Sequence, residues 1–141
     1  MTEQTNHPVF DATTGFDALM AQVLAVADRF GHRQHVHLTW LAVREHGTSA
    51  AITLISDGIR RTAQYAGAPQ KYHTTISEAW VRIVASHATH DSDDFDTFAQ
   101  RYPALLDKRL LARHYRSSTL ASSVARQCWV EPDLVALPTA V

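Results

Sequence analysis

A single cysteine, Cys128, in a chain of 141 residues excludes an internal disulfide and leaves no partner for a thiolate metal site. Any metal would have to rest on histidine and carboxylate. Neither sign of charge dominates: 13 Lys and Arg against 14 Asp and Glu give a formal −1, which argues against a general binder of polyanions, so nucleic acid is not an expected partner. No run of 18 apolar residues occurs, and residues 1–8 have neither a basic nor an apolar leader region. The expectation is therefore no membrane association and a cytoplasmic location. β-branched alternation is scarce, which leaves little to build a sheet from.

What is present is apolar spacing of helical period. Hydrophobic residues make up 45% and charged residues 19%, values at which one domain of this length buries a real core. Residues 1–15 show no sustained period and read as a flexible arm, with 16–141 as a single helical domain. Leu19, Val23, Ala27 and Phe30 predict a first helix over 16–30, and Val36, Trp40, Leu41 and Val43 a second over 32–46 that ends at Gly47. Ile52, Ile55, Ile59 and Ala63 predict a third, stopped at Gly67-Ala68-Pro69. Thr75 with Glu78 reads as a capping box opening a fourth helix, lined by Ile76, Trp80, Ile83 and Val84 and fading near His90. A fifth follows from Phe95 to Tyr102, a sixth over 104–115 and a seventh over 119–127. The tail carries Pro132 and Pro138 and should dock in extended form through Val130, Leu134 and Leu137. The fold class is all-α, a compact bundle of about six or seven helices.

Chemistry concentrates in Phe30-Gly31-His32-Arg33-Gln34-His35-Val36-His37, which puts three of the nine histidines into six residues at a helix start. His32 and His35, three apart, share a face, while His37 points elsewhere. Short connections make successive helices antiparallel, so the second and fourth run parallel and the turn before the fourth should deliver His73 beside His32 and His35. Both helix starts disfavour imidazolium and keep the rings neutral, as a metal ligand or general base requires. His87 and His90, at a helix C-terminus beside Asp91, Asp93 and Asp94, read instead as solvated caps, and His7, His46 and His114 as surface or structural residues.

The expected site is thus His32, His35 and His73 as catalytic residues and as ligands of a divalent Zn, Fe or Mn ion with an open position, helped by Tyr72. Lys71 and Arg126 would bind an anionic small-molecule substrate, with Trp40 and Tyr115 completing its pocket. Between residues 101 and 126 six basic side chains face only Asp107, and Arg126 stands out because it precedes Cys128-Trp129 in an apolar stretch and can reach inward. The leading expectation is a small enzyme. The alternatives are a metal-free acid–base lyase, isomerase or cyclase, and a non-catalytic module that binds a small ligand or a partner; the composition is compatible with a homo-oligomer.

The pattern Phe30-x-His32-Arg33-x-His35-Val36, Lys71-Tyr72-His73-x-Thr75-Ile76, Ala125-Arg126 and Pro132-Asp133 resembles a family of small bacterial helical proteins over about residues 28–133. Family members carry an acidic residue directly after the His of Lys-Tyr-His, where this chain has Thr74, and Asn or Thr before the first His, where it has Gly31. An acidic ligand or base at the first of these positions is therefore missing here. The resemblance supports the choice of motif residues and implies no reaction.

Overall fold

The computed structural model describes residues 12–88 and 94–139. It is all-α, with no strand among the described residues: α1 (Ala12–Leu24), α2 (His32–Tyr65), α3 (Thr74–Ala88), α4 (Phe95–Arg101), α5 (Ser117–Leu120) and α6 (Ser123–Gln127), joined in part by 3-10 turns at Pro69–Lys71, Pro103–Leu106 and Lys108–Arg113. No helix among the described residues is long and apolar enough to cross a membrane.

α2 is continuous along the chain but broken at Gly47, whose φ of 83° and ψ of 169° lie far from helical values. Only glycine takes such a backbone without strain, and there the chain folds from an outgoing arm, 32–46, into a return arm, 48–65. These are the predicted second and third helices, with the glycine at their junction. α1 differs at both ends. It begins at Ala12 and stops at Leu24, leaving 25–31 as a connection in which Val26 is 76% and Phe30 39% exposed. Phe16, Leu19 and Val23 reach the core, whereas Phe30 finds no place in it, so the periodicity beyond Leu24 has nothing to pack against.

The core joins Phe16, Leu19 and Val23 to Val36, Trp40 and Val43 of the outgoing arm, Leu54 and Ile55 of the return arm, Trp80, Ile83 and Val84 of α3, and Phe95 and Phe98 of α4. On the return arm the buried line is Ala51, Leu54, Ile55 and Gly58, while Ile52 and Ile59 are only half-buried. Gly58 lets α1 lie close. A Cβ there would stand 2.1 Å from the Phe16 ring.

Past α4 the regular pattern shortens. Asp94 caps α4 by accepting from Thr97 N at 2.8 Å, as an acidic cap should. The predicted sixth helix is instead two 3-10 turns parted at Asp107, whose backbone is extended and whose carboxylate accepts from Arg109 N at 3.0 Å. The predicted seventh is α5 and α6, divided where Ser122 caps α6 through Ala125 N. The tail docks as expected through Leu137, which packs against the core, and half-buried Val130, and its backbone adds to this. Leu134 is 44% exposed, yet its N–H donates to His114 O at 3.0 Å and that of Val135 to Arg113 O at 3.2 Å. The expectations placed on His7, His90, Asp91 and Asp93 fall outside the described residues.

Candidate functional site

The start of α3 differs from the predicted capping box. The helix opens at Thr74 with His73 before it: His73 O accepts from Ser77 N at 3.0 Å, and the imidazole Nδ1 accepts from Ile76 N at 3.1 Å, so a histidine side chain fills the capping role. The other ring nitrogen, Nε2, donates to Leu120 O at 2.7 Å. Both nitrogens of this buried ring are therefore spent on backbone groups, which fixes the neutral Nε2–H tautomer. Thr75 is fully buried and reaches sideways: its hydroxyl donates to Cys128 O at 2.8 Å and accepts from Val130 N at 3.2 Å, tying the tail to α3. Glu78 pairs with Arg82.

His32 and His35 do lie together, with ring centroids 6.4 Å apart and planes 27° from parallel. His32 donates from Nε2 to Leu105 O at 2.9 Å and packs its edge on Trp80 at 4.6 Å. His35, partly buried beside Phe30, is pushed down to about 4, first by burial and then by the neighbouring His32. The ring is neutral as expected, though the leading cause is burial. A base this weak is poorly matched to proton transfer near neutrality.

His73 does not join them in a metal site. Trp80, the residue His32 touches, lies seven positions beyond His73 on α3, about 10 Å along the axis at 1.5 Å per residue. Among the described residues no three His, Cys, Asp or Glu side chains are grouped to hold a metal ion. The expected three-histidine centre thus separates into a histidine pair on α2 and a capping histidine on α3.

The remaining candidates also divide. Tyr72 and Arg126 line one groove of about 390 Å³ together with Arg60, Pro69, Gln70, Thr74, Ser123 and Gln127. Arg126 donates to Gln70 O, and Arg60 lies over the Tyr72 ring at 5.5 Å while pairing with Asp57. Lys71 is exposed on the adjoining turn. Tyr115 belongs to the core rather than to a pocket: its hydroxyl donates to Val130 O at 2.6 Å and is pushed up to about 12, chiefly by burial and next by Glu131. Trp40 is buried against Phe95 and Phe98 and borders a different groove. His87, expected as a solvated cap, is half-buried against Tyr102 and bonds Ile83 O through Nδ1 at 2.9 Å, while His114 donates to Val135 O at 2.8 Å.

Sequence reasoning missed Arg60, Thr74 and Ser123. Nothing local marks Arg60, which lies on the polar flank of a helix; the hairpin through residues 66–73 alone brings it over Tyr72. No family model matches the chain, and no curated protein or solved structure matches it. These comparisons do not bear on the resemblance expected from the motif residues.

Proposed function

We propose that this protein binds a small anionic molecule, bearing phosphate or carboxylate, in the groove between the return arm of α2, the start of α3 and α6. The observation that carries the reading is a lining with two guanidinium groups, Arg126 and Arg60, the second of which also pairs with Asp57 beside the groove, and with the hydroxyl-bearing residues Tyr72, Thr74 and Ser123. Guanidinium groups meet an oxyanion with paired, charge-assisted hydrogen bonds, and hydroxyls complete its shell. Arg126 currently spends a donor on Gln70 O, a neutral acceptor that an anion outcompetes. Binding is favoured over catalysis because His73, the histidine at this end of the bundle, uses both ring nitrogens internally.

Titration calorimetry with inorganic phosphate, pyrophosphate and citrate tests the reading. Wild-type protein should bind at least one of them, and Arg126→Ala and Arg60→Ala should each weaken binding by about 10- to 100-fold, the worth of a charge-assisted hydrogen bond at about 1.5–3 kcal/mol. Arg126→Lys should recover part of the loss, and Lys71→Ala should change little. Absence of binding at millimolar anion, or equal binding by wild type and Arg126→Ala, would reject the site.

A further inference from the structure

We infer, resting on the anion reading of the Arg60 and Arg126 groove, that its second wall is movable and that His73 and Thr75 are its positioning residues. They seat α6 against the start of α3 and so set how tightly the anion binds, and the bound anion in turn fastens the C-terminal segment, α5 through the tail. The first wall belongs to the helical bundle, with Arg60 on the return arm of α2, Pro69 and Gln70 on the turn, and Tyr72 and Thr74 at the start of α3. The second wall is Ser123, Arg126 and Gln127 of α6. One guanidinium stands on each wall, so an anion held by both spans the joint.

Hydrogen bonds hold the second wall in place. α5 and α6 bury a single side chain, Ala125, while Val124 is 62% exposed, so little apolar contact anchors them. Two backbone carbonyls bracket α6, Leu120 O before it and Cys128 O after it. His73 Nε2 donates to the first at 2.7 Å and the Thr75 hydroxyl to the second at 2.8 Å, while also accepting from Val130 N at 3.2 Å. Arg126 adds its bond to Gln70 O across the groove, and Arg82 lies over the Trp129 ring at 4.6 Å just beyond. Behind these clasps the segment is tied to itself: Asp133 of the tail accepts from Arg116 N at 3.0 Å and from the Thr119 hydroxyl at 2.6 Å. α5, α6 and the tail therefore seat or lift together.

The order of residues at the start of α3 serves both walls. Tyr72 and Thr74 line the groove and are half-buried, while His73 and Thr75, alternating with them, are buried and bond the C-terminal segment. Lys71-Tyr72-His73-Thr74-Thr75 thus interleaves groove lining with clasp, and Ala125-Arg126 sets the buried anchor of α6 next to its guanidinium. A lifted α6 takes Arg126 away from Arg60, so affinity scales with the fraction of molecules in which the wall is seated. By reciprocity the anion favours the seated state by the same factor.

The test is titration of the full chain with inorganic phosphate, pyrophosphate and citrate, joined to amide exchange at Val130, whose N–H is held by Thr75. Thr75 lines no part of the groove, yet Thr75→Val should bind the anion that wild type takes about fivefold less tightly, the lower end of an ordinary coupling between sites. Thr75→Ser keeps the hydroxyl and should bind it within about twofold of wild type. Phe98→Leu is the control for lost stability alone: the Phe98 ring meets Trp40, Phe95 and Tyr102, none of which lines this groove, and its affinity should equal that of wild type. At saturation the same anion should slow exchange at Val130 by about fivefold or more in wild type and leave it unchanged in Arg126→Ala. If the anion binds wild type and Thr75→Val equally, or if Phe98→Leu weakens binding as much as Thr75→Val, the inference is overturned and the groove is left standing. If none of the three anions binds, both fall together. Should Thr75→Val fail to fold, exchange at Val130 in wild type decides alone, and an anion that binds without slowing it overturns the inference.

Discussion

Replacing Thr75 with valine keeps the shape of the side chain and removes its hydroxyl, which makes it a clean probe of how the tail is held. In the fold that hydroxyl is fully buried and serves two backbone groups at once, Cys128 O at 2.8 Å and Val130 N at 3.2 Å. Each such bond contributes about 0.5–1.5 kcal/mol net, and a buried backbone group stranded without a partner costs about 1–3 kcal/mol. Val130 is only half-buried, so water relieves part of this, and the expected loss is about 2–3 kcal/mol. For a chain of this size that lowers the melting temperature by about 6–9 °C. Thr75→Ser, which keeps the hydroxyl and gives up one methyl, should lose only about 1 kcal/mol. Urea denaturation followed by circular dichroism gives the stabilities, and amide exchange at Val130 gives the local effect, which should speed up in Thr75→Val and not in Thr75→Ser. If Thr75→Val matches wild type in stability and Val130 stays protected, the clasp is not holding the tail. If the protection lost is that of the first turn of α3, Thr75 is acting as a cap after all.

His73→Ala should destabilise by about 2 kcal/mol, combining a lost helix cap with an unpaired Leu120 O, and His73→Asn should regain the cap share; slow exchange at Ile76 N in His73→Ala would contradict this. His35 is neutral in the fold down to about 4 but takes a proton near 6.5 when unfolded, so the unfolded state binds more protons between these values and stability falls as pH drops through that window. The full effect is about 3 kcal/mol, and His35→Gln should flatten the decline; parallel stability curves for the two proteins from pH 7 to pH 4 would refute the assignment. Gly58→Ala puts a methyl 2.1 Å from the Phe16 ring and should cost about 1–3 kcal/mol, partly relieved by Phe16→Leu, as thermal melts of the single and double variants will show.

The sequence by itself determined the class of fold and most of its helices, because apolar spacing of period 3.6 and the breaks at Gly47, Gly67 and Pro103 are local facts that local physics obeys. It also marked His32 with His35 as one cluster, since three residues along a helix fix a common face. The capping box of Thr75 and Glu78 was legible as a pattern and wrong as a structure. Thr75 found better partners in Cys128 and Val130, more than fifty residues away, and the cap passed to His73. Only the tertiary structure decided the register of α3 against α2. The packing sets Trp80 against His32 and Tyr72 under Arg60, and it turns the His73 ring to its own helix start and to Leu120 O. Register along a helix pair is set by packing summed over the whole interface and by the length of the connecting turn, and no short motif carries that information.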